Sequence, residues 1–211
     1  KETIEKMGGI DPQRMKFLVA QEVKDEFANA QQMLEELNDA AANDHREEIP
    51  LSELKVGLQS VHPDALAPVT ADRLLGRLAD VINANGGTTV MTGLPKLAAD
   101  QKVFEAKSDS KETADKVDRI FNHMKDYYGE FDQQMIKQPS AKEQANGVTT
   151  PEESAANLAQ KGGAAPIADA LFYDKKAEKA GLNLLEGPNN DLIESSAEAS
   201  ADCQMVITST G

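Results

Sequence analysis

The sequence predicts an α/β protein built on a largely parallel sheet, and two observations carry that prediction. Apolar runs of strand length alternate with longer segments of helical period. One such helix stops at Asn85-Gly86-Gly87 and passes directly into Thr88-Thr89-Val90-Met91-Thr92, the strand–helix–strand succession of a right-handed crossover.

Taken in order, Met15-Lys16-Phe17-Leu18-Val19-Ala20 reads as a first buried strand. Residues 24–42 follow as an amphipathic helix packed on the sheet, with Phe27, Ala30, Met33, Leu34 and Leu37 at helical spacing. Lys55-Val56-Gly57-Leu58-Gln59 reads as the second strand. Thr70 then caps a helix whose apolar stripe is Leu74, Leu75, Leu78, Val81 and Ile82. After the strand at 88–92, Val117, Ile120, Phe121 and Met124 mark a helix over about 111–128.

Residues 138–150 read as a long polar loop. Helices are expected near 151–160 and 164–172, a strand at 182–185, a helix from Asp191 to Ala201, and a last strand at 204–208. The whole is a Rossmann-like sheet with helices on both faces. Its organisation is expected to be 1–137 as the first part of the core and 138–211 as the loop and second part, within one continuous domain or as two halves.

Composition narrows the function. Thirty-six Asp and Glu against 22 Lys and Arg give a formal net charge of −14, a field that repels nucleic acid and anionic lipid. A lone cysteine, Cys203, excludes an internal disulfide and a Cys-rich metal cluster. A cytoplasmic location is therefore expected. No apolar run approaches the roughly 20 residues that span a bilayer. The sequence opens on Lys rather than Met and reads as a portion of a longer protein.

None of the glycine pairs belongs to a nucleotide-binding pattern, so they read as turn and cap glycines. Of the three histidines, His45 and His123 read as solvated. His62 stands directly after the second strand, where α/β proteins collect ligands, and is a candidate metal ligand or base. Asn190 and Asp191 follow a strand and begin a helix, a place where a side chain caps the helix or faces a cleft. Ser209 and Thr210 lie in the same kind of position beyond the last strand.

Several segments together resemble the altronate and galactarate dehydratases: Leu51-Ser52-Glu53-Leu54-Lys55-Val56-Gly57-Leu58, Ala84-Asn85-Gly86-Gly87-Thr88-Thr89-Val90, Gly181-Leu182-Asn183-Leu184-Leu185 and Ser209-Thr210-Gly211. Gly147-Val148-Thr149-Thr150 with Gln160-Lys161-Gly162, and Pro188 with Asn190-Asp191, also fit. The resemblance implies a lyase that removes water from a hexonate or hexarate with a divalent metal, iron or manganese. On this reading Asp64 and His62 are replacement metal ligands, Lys161 and Asp191 the catalytic groups, and Thr92, Asn190, Ser209 and Thr210 the substrate contacts. A small-molecule sugar acid is the expected partner, with a homo-oligomer as the expected assembly.

The sequence departs from the family where the chemistry should lie. A Cys-Gly-Gly-Ser-Asp stretch is Ser60-Val61-His62-Pro63-Asp64 here. A Glu on each side of a Val-Pro pair gives way to Gly93-Leu94-Pro95-Lys96, and the loop's Asn and Lys become Glu143 and Gln144. A Leu-Gly-Cys further on is replaced by Ala156-Asn157-Leu158. Losing a thiolate and two carboxylates weakens a transition-metal site severely. Two readings follow: a dehydratase of doubtful activity, or a non-catalytic core or scaffold of the same fold.

Overall fold

The computed structural model describes residues 11–60, 65–188 and 190–209, with Lys6 and Gly9. The chain forms two compact units, Lys1–Glu48 and Ile49–Gly211.

In the first unit the expected strand at 15–20 does not form. Residues 15–19 carry no regular structure and lead into a 3₁₀ turn at Ala20–Glu22. A strand needs a ladder partner, and this unit has no other strand among its described residues. Helix α1, Glu26–Ala41, does form, capped by the Asp25 carboxylate that accepts from the Ala28 amide at 3.0 Å. It buries none of its residues: Phe27 is 80% and Leu34 65% exposed. The expectation of a packed stripe is thus overturned: Ala30, Met33 and Leu37 are only half-buried and no residue of the helix is buried.

The second unit is a five-stranded, all-parallel sheet. Its strands are β1 Lys55–Ser60, β2 Thr88–Met91, β3 Ile167–Leu171, β4 Gly181–Leu185 and β5 Met205–Ser209, in the order β3-β4-β2-β1-β5. Helix α2, Ala71–Ala84, makes the crossover between β1 and β2. It is followed by α3 Leu94–Leu97, α4 Gln101–Ala106, α5 Lys111–Glu130, α6 Ala141–Ala145, α7 Pro151–Ala159 and α8 Asp191–Ser200.

Alternation along the strands divides the core in two. Val56, Leu58, Met91, Leu182 and Leu184 pack with Leu75, Ala79 and Ile82 of α2 and with Val117, Ile120 and Phe121 of α5. Val90, Leu171 and Leu185 pack with Ala197 and Ala201 of α8. Helices therefore cover both faces, as the sequence predicts.

Two expectations change. Residues 167–171 are a strand, not a helix: Ala and Asp favour helix weakly, but pairing with β4 outweighs propensity at an edge position. The stretch 138–150 is not all loop, because Ser140 and Glu143 form a reciprocal capping box that nucleates α6. Among the described residues no helix is long and apolar enough to cross a membrane.

Candidate functional site

The site gathers at the carboxyl ends of the strands, where open α/β sheets place ligands. Lys161 is delivered there by a 3₁₀ turn, Gln160–Gly162, that lies against α2. Close approach requires Gly76: a methyl on it would come within 2.1 Å of the Gln160 carbonyl oxygen. Gly163 ends the turn at φ +64, a conformation that glycine adopts readily. The Lys161 side chain is buried and makes no hydrogen bond or ion pair within 4.0 Å among the described residues.

Thr92 follows β2 and is fully buried. Its Oγ1 lies 3.2 Å from Glu194 Oε2 and 3.3 Å from Glu198 Oε1, two acids one turn apart on the inner face of α8. Glu198 packs over β1, where a Cβ on Gly57 would come within 2.7 Å of its carboxyl carbon. Burial pushes Glu194 up and Glu198 up to about 7, opposed in both by Lys161. Burial likewise pushes Lys161 down, opposed by Glu194, Glu198 and Asp72. The other oxygen of each acid, Glu194 Oε1 and Glu198 Oε2, has no hydrogen-bond partner among the described residues.

A second chain of contacts runs along β1 and β5. Ser209 Oγ donates to Asp72 Oδ1 at 2.5 Å and lies 3.3 Å from the Gln59 carbonyl. Gln59 Nε2 donates to the Asp191 carbonyl at 2.8 Å, while its Oε1 accepts from Ser195 and Thr208.

Beside this interior lies an open cleft of about 550 Å³, walled by Lys96, Lys137, Lys142, Glu143, Asn190 and Asp191 among others. Lys96 joins the two regions. It pairs with Glu143 at 3.4 Å in the cleft, and its charge acts on both Lys161 and Glu194.

Of the residues singled out in the sequence, Thr92, Lys161 and Ser209 fall in the buried network at the strand ends. Asn190 and Asp191 are exposed at the cleft; Asn190 is the cap of α8, its Oδ1 accepting from the Ile193 amide at 3.2 Å. His62, Asp64 and Thr210 lie outside the described residues. Sequence reasoning missed Glu194, Glu198, Asp72 and Gln59. The signal was present for the two acids, which share one helical stripe with Ala197 and Ala201 where apolar residues are expected.

A divalent ion needs more donors than these. Among the described residues no group of three or more His, Cys, Asp or Glu side chains could hold one, and the Glu194 and Glu198 carboxyls already face the Lys161 charge. The expected ligands, His62 and Asp64, lie outside the described residues. Cys203 offers no nucleophile either, because burial pushes its thiol up to about 12.

Comparison with known proteins agrees with the resemblance drawn from the sequence. A family model described as D-galactarate/Altronate dehydratase, C-terminal, matches residues 51–211. Over 207 residues, 98% of its length, the chain is 38% identical to an altronate dehydratase of Bacillus subtilis (strain 168). The identity and coverage are the same for an altronate dehydratase of Escherichia coli (strain K12). The chain spans 42% of the length of each of these relatives.

Proposed function

The chain belongs to the D-galactarate/altronate dehydratase family, and from that premise we propose that it binds a hexonate or hexarate in the lysine-walled cleft without itself eliminating water. The observation that carries this reading is the gathering of Lys96, Lys137 and Lys142, against the two acids Glu143 and Asp191, around one cleft in a chain of net charge −14. Such a local reversal of the field suits a carboxylate, which the global charge would otherwise repel. Asn190 and Asp191 at the same rim supply hydrogen-bonding groups for sugar hydroxyls.

Elimination asks for more than binding. A base must take the proton α to the carboxylate, and the enolate and departing hydroxide must both be stabilised. Glu198, held up to about 7, has the basicity for the first task, and Lys161 is the nearest cation for the second. The Lewis acid that the resemblance implies for the leaving hydroxyl is weakened by the loss of the family's thiolate and two carboxylates from this sequence, and general base catalysis alone contributes only about 10²–10⁴-fold.

Calorimetric titration with altronate and galactarate tests the binding. Heat of binding that falls with added salt and is weakened by Lys142→Ala is expected; no binding of either acid would sink the proposal. A coupled dehydration assay with added Fe²⁺ or Mn²⁺ tests the chemistry. No turnover is expected, and metal-dependent water loss abolished by Asp64→Ala would show that the chain is an active dehydratase.

A further inference from the structure

Two lysines lose water around the 3₁₀ turn Gln160–Gly162, and they differ in one respect. Half-buried Lys107 donates from Nζ to the Gly163 carbonyl at 2.6 Å and so holds the end of the turn in place. Lys161 is 2% exposed and makes no hydrogen bond or ion pair among the described residues. A lysine buried for structure finds acceptors for its N–H groups, because a buried donor without one destabilises the fold. A desolvated lysine without such partners is instead the form in which this side chain acts as a nucleophile. Burial pushes the Lys161 amine down and the Lys96 charge adds to that, against Glu194, Glu198 and Asp72.

The groups around the amine suit attack on a carbonyl. Glu194 and Glu198 are buried, act on Lys161 by charge rather than by contact, and each keep one oxygen without a hydrogen-bond partner among the described residues. Glu198, held up to about 7, both takes and releases a proton near neutrality. No side chain stands between Nζ and the turn after β2: that position is Gly93, where a Cβ would lie 3.9 Å from Nζ. Gly93 opens α3, whose Lys96 walls the cleft of about 550 Å³. The amine therefore borders one end of a single helical turn, and a cation of the cleft stands on the same turn three residues on.

We infer that Lys161 forms a covalent imine with a 2-keto acid that enters past Gly93, the ligand's carboxylate facing Lys96. Glu198 takes a proton from the ammonium, and the freed electron pair of the amine attacks the keto carbon. The nitrogen passes a proton to the former carbonyl oxygen, giving a carbinolamine. Glu198 then returns its proton to that hydroxyl, which leaves as water while the nitrogen pair closes the C=N bond. Nothing is oxidised or reduced. The product is an iminium, so the positive charge that Glu194 and Glu198 face stays in place. Neither altronate nor galactarate carries a ketone, so failure of either to bind leaves the imine test untouched.

Pyruvate with sodium cyanoborohydride tests this, because the hydride reduces an imine to a stable secondary amine that peptide mapping locates in the parent protein. A single adduct at Lys161 is expected. At pH 7 it should form at least about tenfold faster than at any exposed lysine, since each unit by which an amine's pKa falls raises its neutral fraction about tenfold. Lys161→Arg should lose the adduct, with circular dichroism reporting whether that variant is folded. Lys96→Ala should reduce the preference of Lys161 for pyruvate over acetone, which has no carboxylate. No adduct at Lys161, or one that forms there no faster than at the exposed lysines, would overturn the inference, and both results are read in the parent chain without any variant. A pyruvate-to-acetone ratio unchanged in Lys96→Ala would overturn the assignment of the carboxylate to Lys96.

Discussion

Thr92 Oγ1 lies 3.2 Å from Glu194 Oε2, tying the end of β2 to helix α8. The same oxygen is 3.3 Å from Glu198 Oε1, yet a hydroxyl has one proton to donate. It can serve only one carboxylate at a time. The second acid contributes a favourable contact only when it carries a proton of its own and donates it to Thr92. With one lysine facing two buried acids, the cluster is neutral when a single proton is shared between Glu194 and Glu198, which is the state burial favours.

That proton makes stability depend on pH in the direction opposite to an ordinary salt-bridged carboxylate. Glu198 is raised from 4.5 to about 7 in the folded protein, so between those values the folded state binds more protons than the unfolded one. Stability from this group is therefore complete below about 4.5 and is lost as pH rises to about 7. The loss is on the order of 3 kcal/mol. Urea unfolding at pH 5, 6, 7 and 8 should show the decline, and Glu198→Gln should flatten it; a variant with the parent's slope would remove Glu198 as its source.

His123 titrates with the usual sign. Its pKa is raised, chiefly by the hydrogen bond to Glu186 and then by that carboxylate's charge. The interaction is present in full below 6.5 and lost as pH rises through the folded value. An NMR titration of the imidazole should give a midpoint above 6.5 that falls back in Glu186→Gln. A midpoint unmoved by that substitution would mean that the nearby Asp126 and Glu130 set it.

Much of the sheet was legible because its strands are short apolar runs closed by glycines, as at Asn85-Gly86-Gly87 before β2. β3 was not, since Ala168, Asp169 and Ala170 carry no strand signal and are held there by pairing with β4. The run at 15–20 misled in the opposite way, with strand-like residues and no ladder to join. At the site, Lys161, Thr92 and Ser209 were reached through motif resemblance. Glu194 and Glu198 were passed over because acids in a chain with 36 of them usually face water, and only the fold reveals that α8 turns these two inward.

Gly76 is a sharper test of how the site is positioned. A methyl there would press within 2.1 Å of the Gln160 carbonyl oxygen and 3.0 Å of the Gly163 amide nitrogen, so the turn carrying Lys161 must shift. Gly76→Ala should cost at least the ~1–3 kcal/mol of core overpacking, despite alanine's better helix propensity. Equal or greater thermal stability in the variant would mean that α2 and the turn are not packed this closely.

The last prediction concerns Lys161, whose charge is the counterweight to both buried acids. Lys161→Met keeps the approximate volume and removes the cation, so Glu194 and Glu198 lose the charge that most favours their ionised forms, with Lys96 left to act on Glu194 alone. At pH 5 both acids can stay protonated and the substitution should be mild. At pH 8 the fold must either hold ionised carboxyls without a partner or take up protons against the solvent. Leaving buried carboxylates without a compensating cation in this way is destabilising even where no direct ion pair is broken. The gap in unfolding free energy between variant and parent should therefore widen as pH rises. Adding Glu194→Gln and Glu198→Gln should close most of it, because neutral amides need no cation. If the gap is the same at pH 5 and pH 8, Lys161 stabilises the fold by packing alone, and the shared-proton account of the cluster fails with it.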